Sequence, residues 1–260
     1  RAPARRGPVA LAPAPPLALD ALPGAIAAAD RSRGVDFARH RLTDNDFYDA
    51  ECVFSPCGKW IVFSSTRDDD PPAAPPATRP GELMGETPPE VPRHRPNVEL
   101  YVMRADGSGV KRLTDHPGYD GGAFFSPDGK RMVYRSDRQL NDLLQVYVSD
   151  VVYDAQGEIT GLSNERKLTS EFVNFGPYWH PSGRSIIYAT SRHGYGNFEL
   201  YMMRDDGSRP TRITFSEGAD VLPAFSPDGK YLLWCSNRTA DKTTQVFLAK
   251  FTIPEYIERR

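Results

Sequence analysis

Short runs of alternating apolar and polar residues recur along most of the chain, as in Lys59-Trp-Ile-Val-Phe-Ser-Ser65 and Lys230-Tyr-Leu-Leu-Trp-Cys-Ser236. Runs of this length, rich in β-branched and aromatic side chains, fit a pleated, half-buried surface and predict strands. Ahead of each lies one phrase: FSPCGK at 54–59, FSPDGK at 125–130, WHPSGR at 179–184 and FSPDGK at 225–230. Proline and glycine at fixed places between two apolar runs predict a tight hairpin turn, so the chain repeats one all-β unit.

The register of the repeat is set by the residue before the proline: Ser55, Ser126, His180 and Ser226. Six residues earlier stands a small polar residue, Asp49, Asp120, Asn174 or Asp220, and twelve residues later an arginine, Arg67, Arg138, Arg192 or Arg238. A third strand follows, seen in Glu99-Leu-Tyr-Val-Met103, Gln145-Val-Tyr-Val148, Glu199-Leu-Tyr-Met-Met203 and Gln245-Val-Phe-Leu248. Asp106-Gly107 and Asp206-Gly207 supply residues that tolerate positive φ in the next turn. A fourth strand ends in Arg112-Leu-Thr114, Lys167-Leu-Thr169 or Arg212-Ile-Thr214.

Four short strands per unit predict an all-β fold, a β-propeller with four four-stranded blades in this chain. The last unit lacks its own Arg-Leu-Thr strand, yet Arg41-Leu-Thr43 precedes the first, so the segment at about 37–43 is expected to join the last blade and close the ring. An open arc of a larger ring has the same phase.

Residues 35–250 form the propeller on this reading, with insertions at 68–97 and 150–164 that lengthen links between strands. Residues 1–34, rich in Ala and Pro, read as a disordered leader, and 251–260 as a tail, either a short helix or the start of a further domain. A net charge of −2 without a basic stripe excludes the footprint of a nucleic-acid binder. No apolar run is long enough to insert in a membrane as a helix. Three cysteines make no disulfide framework; Cys52 and Cys57 are read as unpaired, with buried or half-buried thiols.

The repeat of FSPDGK, strand, Ser-Asn/Asp-Arg, Leu-Tyr strand, Asp-Gly and Arg-Leu-Thr resembles the WD-like repeats of the TolB-type β-propellers over about residues 37–250. That resemblance implies a periplasmic or otherwise extracytoplasmic bacterial protein whose propeller binds a protein partner. It also implies six blades behind an α/β domain, where four blades are counted here. Similar repeats serve as accessory or substrate-gating propellers of peptidases.

Catalytic patterns are missing: His40, His94, His116, His180 and His193 fall at unlike repeat offsets, with no HExxH helix, zinc-ligand spacing or G-x-S-x-G elbow. The polar residue before strand one and the arginine after strand two come to the same end of a hairpin. Asp49, Asp120, Asn174 and Asp220 are therefore expected at the channel mouth, with Arg67, Arg138, Arg192 and Arg238 further out. Such a ring either ties the blades together or offers oxygen ligands to a cation such as Ca²⁺ or to a partner's basic group. Tyr48, Tyr119, Phe175 and Tyr195 are placed on the same face, a composition typical of protein-binding hot spots. The sequence thus points to a non-enzymatic propeller that binds a protein or peptide there. The alternative is an accessory or gating propeller of a larger hydrolase whose catalytic domain lies outside this chain.

Overall fold

The computed structural model describes residues 41–68 and 97–258 and divides the chain into two units, Arg1–Asp44 and Asn45–Arg260. Of the first unit only Arg41–Asp44 is described: Arg41 Nε donates to the Thr43 carbonyl at 2.7 Å and its guanidinium pairs with Asp44 at 2.8 Å. The leader at 1–34 and most of the 68–97 insertion lie outside the described residues.

In the second unit four antiparallel sheets follow one another as blades. The first holds β1 (Asp49–Phe54), β2 (Trp60–Ser65), β3 (Glu99–Arg104) and β4 (Lys111–Arg112). The second holds β5 (Asp120–Phe125), β6 (Arg131–Ser136), β7 (Gln145–Tyr153) and β8 (Ile159–Lys167). The third holds β9 (Asn174–Trp179), β10 (Ser185–Thr190), β11 (Glu199–Arg204) and β12 (Thr211–Arg212). β13 (Asp220–Phe225), β14 (Tyr231–Ser236) and β15 (Gln245–Lys250) make the last, and α1 (Glu255–Glu258) follows. The fold is an all-β, four-bladed propeller, as the repeat predicts.

The recurrent phrase works as a turn for a local reason. Ser126 Oγ accepts the Arg131 amide at 2.9 Å and donates to Asp128 at 2.6 Å, while Gly129, at φ 71°, donates its amide to the Ser126 carbonyl. Ser55 and Ser226 accept the amides of Trp60 and Tyr231 in the same way. In the third copy His180 Nδ1 takes the Ser182 amide instead, the turn role expected of this histidine.

The second and third sheets bury residues of both faces against their neighbours. Val62, Leu100 and Val102 of the first blade meet Phe125, Met132 and Tyr134 of the second. Val133, Val146 and Val148 turn the other way, onto Trp179, Ile186 and Tyr188 of the third. Ile187, Leu200 and Met202 then pack on Phe225, Leu232 and Trp234 of the fourth, where Ile257 of α1 joins them. At roughly 1.5–3 kcal/mol per fully buried aliphatic or aromatic side chain, these three seams hold the blades together. The opposite face of the fourth blade, carrying Leu233, Val246 and Leu248, is exposed.

The 150–164 insertion lengthens β7 and β8 into a hairpin turning at Asp154–Gly157, because Val151, Ile159 and Leu162 give it an apolar face that packs toward the first blade. Two expectations need revision. The fourth sheet has three strands among the described residues, and Arg41–Thr43 is not a strand; residues 37–40 of the expected closing segment lie outside them. Arg41 does reproduce the local geometry of Arg112 and Arg212, whose Nε atoms donate to Thr114 and Thr214 carbonyls at 2.7 Å. Finally, the free cysteines Cys52 and Cys57 are exposed, not buried or half-buried. Cys57 holds the turn position that Asp128 and Asp228 fill in other blades, a place that faces solvent.

Candidate functional site

The starts of β1, β5, β9 and β13 and the ends of β2, β6, β10 and β14 lie at one end of the blades, so the two polar rings share an end as the hairpin register requires. In three blades the rings are joined to each other. Arg67 Nη2 reaches Asp49 at 2.9 Å, Arg138 Nη2 reaches Asp120 at 2.9 Å and Arg238 Nη2 reaches Asp220 at 2.7 Å. The same arginines donate Nε to Ser65, Ser136 and Ser236 at 2.9–3.0 Å. Each lies over a ring of the third strand, Tyr101, Tyr147 or Phe247. Asp120 and Asp220 are buried, and burial opposes the Arg138 charge, yet Asp120 and Glu165 together hold its guanidinium above the ordinary value.

The third blade departs from this rule. Asn174 stands where the others have aspartate, and its three side-chain hydrogen bonds are all donated by Nδ2, to Gln145 Oε1, the Glu171 carbonyl and the Phe172 carbonyl. Arg192 has no ion pair among the described residues; its amide donates to Thr190 Oγ1 at 3.4 Å, and its exposed guanidinium lies 5.5 Å from the Phe172 ring and 5.4 Å from the Tyr201 ring. It lines a cleft of about 190 Å³ with Thr169, Glu171, Asn174 and Tyr188, between the second and third blades.

A second ring was not visible in the sequence. The third residue of every innermost strand has positive φ: Glu51 at 56°, Gly122 at 59°, Gly176 at 56° and Leu222 at 53°. Pairing with the next strand shifts register at these bulges, which re-aim the residue there. Glu51 uses that position to reach the second blade. Its carboxylate pairs with Arg135 Nη2, accepts the Tyr119 hydroxyl and takes the Gly122 amide at 2.7 Å. Burial raises the Glu51 carboxyl, but Arg135 and these hydrogen bonds outweigh it and leave the group below the usual 4.5. Gly122 is needed for space as well as φ, since a Cβ there would stand 2.0 Å from Arg135 Nη1.

A further device ties the same end of each blade. The amides of Tyr48, Tyr119, Val173 and Ala219 donate to the side chains of Thr66, Asp137, Ser191 and Asn237, the residue before each arginine. The sequence offset was open to reading, but four different acceptor types disguised it.

Of the expected aromatic residues, Tyr48 and Tyr119 are half-buried and Tyr195 is 44 % exposed, whereas Phe175 is in the seam between the third and fourth blades. Leu140, Phe172 and Phe215, exposed by 64 %, 38 % and 71 %, occupy loops at the same end and were not singled out by the sequence. Arg192 lies over Phe172 and Arg212 lies 4.7 Å from Phe215. His193 stacks beside Tyr201 and shares a 2.8 Å hydrogen bond with its hydroxyl. Among the described residues no three His, Cys, Asp or Glu side chains converge as metal ligands, and no helix is long and apolar enough to cross a membrane.

Comparison with known proteins places this geometry. No family model matches the chain. A TolB homologue of Chlorobium luteolum is 32% identical over 153 residues, 58% of this chain and 31% of that protein. An uncharacterized peptidase of Bacillus subtilis, YuxL, is 27% identical over 212 residues, 65% of this chain and 29% of that protein. The chain thus spans about a third of the length of these relatives. The crystal structure of TolB from Acinetobacter baumannii superposes with a TM-score of 0.57 at 16% identity, over 83% of this chain and 45% of that one, a likeness of fold. By its repeat and its architecture together, the chain is a β-propeller similar to the TolB-type propellers.

Proposed function

We propose that the protein is a non-enzymatic interaction propeller, working outside the cytoplasm, that receives a protein or peptide at the end of the blades where the innermost strands begin. The observation that carries this reading is the company kept there by exposed apolar and cationic groups: Leu140, Phe172, Tyr195 and Phe215, two of them beneath arginines. Large rigid side chains beside guanidinium groups are what dominate binding energy at protein interfaces. The Asp–Arg pairs of blades one, two and four support this face from beneath, holding the loops in place. The contact role falls to the loop residues and to Arg192.

The test is capture from a bacterial envelope extract on immobilised protein. A variant with Leu140, Phe172, Tyr195 and Phe215 all changed to serine, shown by circular dichroism to keep its fold, is expected to lose the partner. Undiminished capture by that variant overturns the proposal.

A second reading is favoured by the similarity to the peptidase YuxL: a propeller that gates or assists a hydrolase. Translation of the surrounding reading frame distinguishes the two, since the second requires a hydrolase domain encoded with these blades or beside them.

A further inference from the structure

The four blades act as internal controls for one another, and blade three is the one that departs. In the other three, the arginine after the second strand has a carboxylate at 2.7–2.9 Å from Nη2, a serine hydroxyl on Nε and an aromatic ring beneath the guanidinium. Blade three keeps the arginine and the ring, Tyr201, but replaces the carboxylate by the Asn174 amide and the serine by Thr190. The Asn174 Nδ2 donates to Gln145 and to two carbonyls, and among the described residues no carboxylate pairs with Arg192. Glu171 lines the same cleft without pairing with Arg192.

We propose that Arg192 is an anchor for a carboxylate supplied from outside, an acidic side chain or the chain terminus of the partner, entering the cleft between blades two and three. The sister blades define what such a guanidinium binds: one carboxylate oxygen at hydrogen-bond distance, with the cation resting on an aromatic face. Arginine suits this role because its planar fork pairs with carboxylates directionally, and stacking between Phe172 and Tyr201 orients it in advance. Ser170 lines the cleft as well and offers a hydroxyl to the second carboxylate oxygen. This deepens the docking-face reading and rests on it for the identity of the ligand as protein.

The experiment reads Arg192 directly. In ¹⁵N-labelled protein the arginine Nε–Hε signals are followed while N-acetyl-glutamate α-amide, N-acetyl-alanine or N-acetyl-glutamine α-amide is added into the millimolar range where single contacts of this kind bind. The two carboxylates are expected to shift the Arg192 signal saturably, and the neutral glutamine derivative is not. The stronger of the two responses tells a side-chain source from a chain terminus. In Asn174→Asp an internal counter-charge returns: the Arg192 signal is expected to start displaced and to stop titrating, while the donated bonds to Gln145 and the two carbonyls are lost. Should that variant fail to fold, Arg192→Gln serves instead, with the Phe172 and Tyr201 ring signals expected to lose their response.

A flat titration, an equal shift with the glutamine derivative, or an unchanged titration in Asn174→Asp overturns the anchor. Partner capture separates this from the broader reading. A partner retained by both Asn174→Asp and Arg192→Gln but lost by the four-serine variant leaves the docking face standing and removes the anchor. A partner lost by all three supports both.

Discussion

The Glu51–Arg135 contact offers the sharpest test of how the first two blades are held. The two side chains are 27% and 16% exposed, and the pair is surrounded by the Tyr119 hydroxyl, the Gly122 amide and Ser64. Removing one partner of a buried ion pair costs about 3–5 kcal/mol, because the other charge is left uncompensated; partial exposure brings Glu51→Gln to about 2–3 kcal/mol. In a propeller of this size that lowers Tm by about 5–10 °C. Urea unfolding followed by tryptophan fluorescence measures the free energy, with an unchanged slope expected if the native fold is kept. The pH dependence provides the second arm. Glu51's folded carboxyl lies below its unfolded value of 4.5, so its contribution is complete above that value and disappears as pH falls through the folded one. The gap between wild type and Glu51→Gln is therefore expected to be full at pH 7 and to close only below 4.5. A double cycle with Arg135→Met should show coupling of about 2 kcal/mol. A pH-independent gap, or coupling under about 0.5 kcal/mol, refutes the reasoning.

Three other outcomes follow from the geometry. Ile187→Ala, at a fully buried position in the seam between blades three and four, should cost about 2–5 kcal/mol in urea unfolding, while Val246→Ala on the exposed face of the fourth blade should stay within about 0.5 kcal/mol. Asp220→Asn, which leaves half-buried Arg238 facing a neutral amide and weakens the acceptor for Trp234 Nε1 at 3.2 Å, should lower stability by about 1–3 kcal/mol and perturb the near-ultraviolet tryptophan signal. With a thiol-specific disulfide reagent, Cys57 and Cys52 should react before half-buried Cys235. Cys57 should be fastest: partial burial raises its thiol, but the Ser55 hydroxyl and turn amides bring it net below 9.0.

Much of the architecture could be read from one line of residues because turn chemistry and register are local. Pro at a fixed place, Gly at positive φ and Ser capping the turn amide name the hairpin wherever they occur, and four copies fix the period. The same register put Asp120 and Arg138 at one end of a hairpin. Whether a carboxylate there faces a partner or its own arginine is decided by side-chain reach, about which spacing is silent, and the Nη2 contacts favour the internal pair. Phe175 follows Asn174 by one residue and so points to the other side of the strand, into the seam; strict alternation could have removed it from the face. Val151, Ile159 and Leu162 likewise signalled a paired hairpin in the 150–164 insertion. The inner bulge ring was hidden for a different reason. It is defined by backbone conformation, and its members, Glu51, Gly122, Gly176 and Leu222, share no side-chain chemistry.

A repeated fold changes where function should be sought. A residue that recurs in every blade recurs because every blade has the same hairpin to hold, so the Asp–Arg–Ser arrangement of blades one, two and four is explained without a ligand. What the common geometry leaves unexplained is a departure that keeps the costly half of an arrangement and discards the compensating half. Blade three does this: a cation remains at the rim, stacked and exposed, where its sisters are neutralised. Glu51 is the opposite departure, a charge added at a bulge that elsewhere carries glycine or leucine, but it is compensated at once by Arg135 across the seam and so belongs to the scaffold. Sorting departures by whether the chain itself neutralises them separates the two. It assigns Glu51 to the joint between blades and leaves Arg192 as the ring arginine without a carboxylate partner among the described residues.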